Sequence, residues 1–253
     1  MRMLFLERQQ QILDLLKLRQ CVMVEQLCRE LSASGATIRR DLSEMEEKGL
    51  LRRVRGGAVS LEGRNSDASP LVRSHKNVAQ KRIIARMALA YIRDSMTIFL
   101  DSSSTVSFLA EELRGFRNLS VVTNGIDTAN ILNERTAAKV FLCGGRVQNH
   151  SSIIGPLAQQ SIRQFRADIF FFSCCGLSAS AGATEASEDT AEIKRLMLTG
   201  ARHRVLLCDS SKWDREYFCK SCDIADLDAV LTEQRPPAAY TVFPQIRVSD
   251  ESL

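Results

Sequence analysis

Nowhere does the chain hold eighteen apolar residues in a row, the run a helix needs to cross hydrocarbon, so a membrane protein is not expected. The most apolar stretch, Ile169-Phe170-Phe171-Phe172, passes at once into Ser173 and two cysteines and reads as a buried strand. At the start, Met1-Arg2-Met3-Leu4-Phe5-Leu6 turns polar with Glu7-Arg8-Gln9. The long apolar region and small-residue cleavage site of a secretion signal are missing. A cytoplasmic location is the expectation, and with it reduced thiols for the eight cysteines. Histidine is sparse: only His75, His150 and His203, far apart. Cys219-Lys220-Ser221-Cys222 has the spacing of two zinc ligands, but there is no second such pair and there are no paired histidines to complete a site. GxxxxGKS/T, GxGxxG and HExxH are absent too, which removes the commonest nucleotide-binding and zinc-hydrolase readings. No metal and no cofactor is expected.

What the chain does have is apolar content of 45% against 25% charged residues over 253 positions, enough for one large domain or two ordinary ones. Net charge is +4, and residues 1–60 hold most of the excess, with 11 Lys+Arg against 8 Asp+Glu. A basic excess in a small end domain suits a polyanion partner. Charge alone reads equally well as a solvated surface.

Periodicity divides the chain. Ile12, Leu15 and Leu16 form one apolar stripe between Glu7 and Arg19, as on an amphipathic helix. A short β-like stretch, Cys21-Val22-Met23-Val24, and a brief helix with Leu27, Cys28 and Leu31 follow. Ser32-Ala33-Ser34-Gly35 is a turn, with Ser34 a helix cap. A third helix is predicted over 36–48, its core face Ile38, Leu42 and Met45. Arg40 and Thr37 lie opposite that face, and Arg39 and Ser43 on a neighbouring flank. Residues 50–59 then read as a hairpin turning at Gly56-Gly57. Residues 61–76 have a linker composition. From 77 to 253 short apolar strands alternate with helices: 96–100, 119–122, 139–142, 169–172, 204–207 and 229–231. That pattern predicts an α/β domain with a mostly parallel sheet covered on both faces.

A surface helix enters the DNA major groove when its outward face carries base-edge and phosphate donors. Thr37, Arg39 and Arg40 sit near the start of the third helix, and Arg52, Arg53 and Arg55 in the hairpin where a wing would meet phosphates. Arg39 or Arg40 has an alternative partner in Asp41 or Glu44. The run Ala36-Thr37-Ile38-Arg39-Arg40-Asp41-Leu42, followed by Glu46-Glu47-Lys48-Gly49-Leu50-Leu51-Arg52-Arg53-Val54-Arg55-Gly56-Gly57-Ala58, resembles the signature of the DeoR family of bacterial regulators. The resemblance implies a winged helix-turn-helix in residues 1–60, with Ser34, Thr37, Arg39, Arg40, Arg53 and Arg55 as DNA contacts.

In the larger domain, strands run into polar loops: Asp101-Ser102-Ser103-Ser104-Thr105, Thr123-Asn124-Gly125, Cys143-Gly144-Gly145-Arg146 and Cys208-Asp209-Ser210-Ser211-Lys212. Ligands of parallel sheets bind at such carboxyl ends, and a helix N-terminus there suits phosphate. Each loop alone also reads as a capped turn. The resemblance covers this half too, and implies a sensor domain similar to ribose-5-phosphate isomerase that takes phosphorylated sugars or related metabolites. It implies an effector site from Asp101, Ser102, Ser103, Ser104, Thr105, Thr123, Asn124, Gly144, Gly145, Glu188, Lys194, Asp209 and Lys212. The family pattern has glycine where this chain has Ser103, and serine disfavours positive φ, so an atypical ligand or pose is expected.

The leading expectation is therefore a regulator, as a rule a repressor of carbohydrate genes, acting on double-stranded operator DNA as a dimer or tetramer. The competing reading is a sugar-phosphate isomerase with an added DNA-like module, for which Glu185, Glu188 and Asp209 are candidate bases. RNA binding is disfavoured, because aromatics are only 6% and none lies in the basic wing for bases to stack on.

Overall fold

The computed structural model describes residues 5–19, 21–47, 50–60, 73, 76–149 and 151–250. Contacts divide the chain into two compact units, Met1–Lys76 and Asn77–Leu253. The segment read as a linker lies outside the described residues except for Arg73 and Lys76.

In the first unit, α1 (Phe5–Arg19), α2 (Val24–Glu30) and α3 (Gly35–Glu47) pack with three short strands, β1 (Cys21–Met23), β2 (Leu51–Val54) and β3 (Gly57–Ser60). The strands form one antiparallel sheet in the order β1-β3-β2. Ile12 and Leu16 of α1, Leu27 of α2 and Ile38, Leu42 and Met45 of α3 close over Val22, Leu51 and Ala58 in a single core. Burying each such side chain stabilises by about 1.5–3 kcal/mol. Gly57 has a steric cause: a Cβ there would stand 2.1 Å from the Val22 carbonyl oxygen, so only glycine lets β3 reach β1 in this register. Arg8 of α1 donates to Asp41 of α3, both buried. Asp41 is therefore taken by Arg8, from a helix thirty-three residues away.

The second unit is built on a seven-stranded sheet in which every pairing is parallel. Its strands are β4 (Thr97–Leu100), β5 (Ser120–Thr123), β6 (Lys139–Leu142), β9 (Ala167–Phe172), β12 (Ala201–Leu207), β14 (Ala229–Thr232) and β15 (Ile246–Val248). Side chains alternate across the pleat. Ile98, Leu100, Val121, Ile169 and Phe171 pack against α4 (Val78–Leu89), α5 (Ser104–Glu112) and α6 (Ile126–Arg135). Phe99, Val122, Phe170 and Phe172 pack against α7 (Pro156–Arg163) and α8 (Glu188–Gly200) on the other face. All six strands expected from the sequence lie in this sheet. The seventh, β15, and the small strands β7 (Arg146–Gln148), β8 (Ser152–Ile154), β10 (Gly176–Ser178), β11 (Gly182–Glu185) and β13 (Cys219–Cys222) were not anticipated.

Strand order across the sheet is β15-β14-β12-β9-β4-β5-β6. From β4 the chain winds one way through β5 to β6, and from β9 the other way through β12 and β14 to β15. The reversal falls between β4 and β9, the place in such sheets where the loops leaving the carboxyl ends diverge and ligands bind.

Candidate functional site

On the first unit, the start of α3 is fastened locally. Ser34 Oγ accepts from the Thr37 amide at 3.2 Å and is 2.8 Å from Thr37 Oγ1. Arg39 and Arg40 are both exposed, with the Arg39 guanidinium folded back beside Gly35. Arg53 is tied to α3: its Nη1 donates to Ser43 Oγ at 2.6 Å and its amide to Glu46 Oε1 at 2.7 Å. Arg55 is exposed in the β2–β3 turn. The side chain of Arg52 lies outside what the structure describes. One face thus carries exposed guanidinium groups from helix and wing, the chemistry that grips phosphates and guanine edges.

In the second unit, the switch point is lined by Asp101–Ser104 after β4 and by Ser173 after β9. Asp101 is buried and accepts from the Ser103 amide at 2.9 Å and the Ser173 amide at 3.3 Å. Ser103 has φ −75°, an ordinary extended value, and caps α5 through the Val106 amide. The conformational ground for expecting an atypical ligand, a positive φ, is therefore absent at Ser103, and serine adds a cap.

Beneath the loops lies a charged floor. The Lys194 ammonium donates to Glu185 Oε1 and to the Ser173 carbonyl, each at 2.6 Å, and forms an ion pair with Asp101 Oδ2 at 3.3 Å. All three side chains are at least 95% buried. Burial alone would lower the lysine pKa, but Glu185 and Asp101 hold it above its usual value. Lys194 is spent on the protein, tying α8 to β11 and to the loops after β4 and β9. Glu188, expected in the effector site together with Lys194, is exposed in the first turn of α8.

A second cluster lies where α4 and α5 begin. Lys81 Nζ, on a buried residue of α4, donates to Ser104 Oγ in the first turn of α5 at 3.0 Å. Asp209, after β12, accepts at Oδ1 from Asn77 Nδ2 at 2.9 Å and from the Ser211 amide and hydroxyl at 3.2 and 2.5 Å. Its other oxygen, Oδ2, is buried without a hydrogen-bond partner. Burial would raise this carboxyl's pKa, but Lys212, the Ser211 and Asn77 hydrogen bonds and Lys81 together hold it below its usual value. Asn124, after β5, has the same bareness: its Nδ2 donates to the Ile153 carbonyl at 3.1 Å, while Oδ1 is buried and unpartnered. Thr123 turns its hydroxyl onto the Gly125 amide at 3.0 Å.

The hairpin β7–β8 is held against this edge, with Ser152 Oγ donating to Ser102 Oγ at 2.7 Å. Gly144 is open, whereas Gly145 stands at φ +151° with a Cβ position 2.7 Å from the Ile154 carbonyl oxygen, so glycine is required to start the hairpin. Arg146 and Asp189 form an exposed 2.7 Å ion pair from the hairpin to the first turn of α8. Sequence reasoning missed Asn77 and Lys81, and offered Glu185 only as a candidate base in the competing reading. Asn77 acts on Asp209, 132 residues away, and Lys81 on Ser104, 23 residues away, and no local pattern announces either.

Among the described residues no group of three or more His, Cys, Asp or Glu is arranged to hold a metal ion, and no helix is long and apolar enough to cross a membrane. The cysteines are free thiols. Burial pushes Cys208 and Cys222 well up, which keeps them as unreactive thiols.

Residues 8–64 match the family described as the DeoR-like helix-turn-helix domain, and residues 76–234 the DeoR C terminal sensor domain. Full-length relatives agree in extent. The chain is similar to the HTH-type transcriptional regulator GolR of Listeria innocua, 34% identical over 90% of this chain and 91% of that one. It is also similar to a lactose phosphotransferase system repressor of Staphylococcus epidermidis, 33% identical over 90% and 91%. Among solved structures, a D-ribose-5-phosphate isomerase in complex with phospho-erythronic acid matches 53% of this chain and 52% of its own at 16% identity, with a TM-score of 0.40. With both halves matched in order and relatives spanning nine-tenths of its length, the chain belongs to the DeoR family of DNA-binding transcriptional regulators.

Proposed function

We propose that this regulator represses carbohydrate genes and is released by a phosphorylated sugar or closely related acid bound in the β4–β9 crevice. One observation carries the reading: the N-terminus of α5 and the Lys81 ammonium meet at Ser104. Backbone N–H groups at a helix start and a fixed cation make a phosphate site. The buried acceptors Asn124 Oδ1 and Asp209 Oδ2 lack donors, and an orphaned buried acceptor costs about 1–3 kcal/mol. Hydroxyl groups of a polyol supply such donors. Ser102, Ser103, Thr105, Thr123, Gly144, Gly145 and Lys212 belong to the same rim, with Lys194 acting from below through Asp101. The names of relatives, among them the lactose phosphotransferase system repressor and a putative aga operon repressor of Escherichia coli, favour a carbohydrate theme.

A thermal-shift screen of sugar phosphates against the matching free sugars tests this. A phosphorylated compound should raise the unfolding temperature where its free sugar does not, and Lys81→Met should weaken its binding about ten-fold or more, as expected for losing a hydrogen bond to a charged group. Equal response to free and phosphorylated sugars would overturn the phosphate assignment.

On the DNA side, Ser34, Thr37, Arg39, Arg40, Arg53 and Arg55 form the operator-reading face, and the chain works as a dimer or tetramer on repeated half-sites.

A further inference from the structure

We propose that Asn77 is the positioning residue through which the loop after β12 controls the start of α4, and with it the chain leading to the DNA-reading unit. The inference rests on the effector-site reading above for what arrives at Asp209.

Asn77 is the first residue of the second unit, so whatever fixes it fixes the end of the covalent link to the first. It precedes α4 in the left-handed region, at φ 55° and ψ 41°, and its side chain makes no cap bond to its own helix. An asparagine at a helix start ordinarily spends its carboxamide on that helix. Here Nδ2 reaches 132 residues along the chain, to Asp209 Oδ1 at 2.9 Å, and also to Ser211 Oγ at 3.0 Å. The start of α4 is thus pinned to the crevice rim by a side chain rather than by helix capping.

The pin is attached to an asymmetric carboxylate. Asp209 Oδ1 collects the bonds from Asn77, the Ser211 amide and the Ser211 hydroxyl. Oδ2 is buried and bare. The two oxygens belong to one planar group. A ligand hydroxyl donating to Oδ2 draws charge from Oδ1 and turns the plane, so the Asn77 bond weakens as the ligand bond forms. A ligand shifts an equilibrium only by its differential affinity for the two states. A hydrogen bond to a charged acceptor accounts for a coupling of about ten-fold or more, within the range of coupling between distinct sites.

The test uses the full chain and needs no ligand. Asn77→Gly keeps the left-handed backbone without strain and removes the whole side chain, and agreement with Asp209→Ala, which leaves the backbone at 77 unaltered, separates loss of the pin from added backbone freedom. Asp209→Ala removes the acceptor, and Ser211→Ala serves if Asp209→Ala fails to fold. Amide hydrogen exchange is followed at residues 76–81, with the β9 amides as the internal reference for global opening. Asn77→Gly and Asp209→Ala should each speed exchange at 76–81 about ten-fold while β9 is unchanged. The double variant should exchange no faster than either single one. Both single variants should weaken binding to an operator that the wild-type chain selects from random-sequence DNA, by similar factors. Wild-type exchange at 76–81 in Asn77→Gly, or strictly additive effects in the double variant, would overturn the proposal. Failure of the effector reading shows elsewhere, as absence of any phosphate-dependent thermal shift in the wild-type chain.

Discussion

Asp209 stands under opposing demands. Burial pushes its carboxyl up, and Lys212, Ser211, Asn77 and Lys81 together hold it down, with the net shift downward. A carboxyl whose pKa is lower in the folded state stabilises the fold above its unfolded value, about 3.9, and loses that contribution as pH falls toward the folded value. Asp209→Asn should therefore flatten part of the acid limb of a stability curve below about pH 4, as read by urea unfolding at stepped pH. An unaltered acid limb would place the charge balance elsewhere. Arg40 makes a different kind of prediction. Exposed on α3, it should lower the slope of log K against log salt by about one when replaced by alanine, if it meets a phosphate. Binding measured at several salt concentrations with fixed operator DNA decides it. These single residues were unevenly legible. Arg40 stood out because helical spacing alone sends it away from Ile38 and Leu42. Lys81 did not, because a lysine in the first turn of a helix looks like any solvated lysine until the fold buries it against Ser104.

Between elements, the buried Arg8–Asp41 pair joins α1 to α3. It fixes the helix that carries Thr37, Arg39 and Arg40 against the helix that supports it. Arg8→Met should strand a buried carboxylate and destabilise the first unit by about 3–5 kcal/mol. Adding Asp41→Leu should recover much of that, since replacing both partners with apolar groups removes the stranded charge. Calorimetry on both variants checks the pair, and no recovery in the double variant would mean that Asp41 serves something besides Arg8. The six larger strands of the second unit could be read from composition because each holds adjacent apolar residues, such as Ile98-Phe99-Leu100 and Val205-Leu206-Leu207. β7, β8, β10, β11 and β13 escaped because each is only three or four residues long and mixes polar residues and glycines with apolar ones. They form two small sheets apart from the large one, and were less legible than it.

For the whole molecule, the operator sets the geometry. The proposed dimer or tetramer on repeated half-sites requires its reading heads to keep their helical phase, about 10–10.5 base pairs per turn. Inserting about half a turn between half-sites should weaken binding sharply, and inserting a full turn less so. Equal loss for both insertions, or sedimentation as a monomer at concentrations that saturate the operator, would argue that each chain binds alone. The division into a basic reading head and an α/β sensor was visible in the change from helical to alternating strand patterns near residue 77. The order of strands was not, since periodicity carries no information on which strands are neighbours, and so the switch point could not be located before the fold was known.

Because the buried Lys194 ammonium is already held by Glu185, the Ser173 carbonyl and Asp101, the floor beneath the loops contributes shape and rigidity. Under the proposed function, choice of ligand falls to the rim: Ser102, Asn124, Ser211, Lys212 and the hairpin at Arg146. A sensor built this way can be retuned without being rebuilt. Libraries that randomise those rim positions while leaving Asp101, Glu185 and Lys194 alone should yield folded proteins answering to new small molecules.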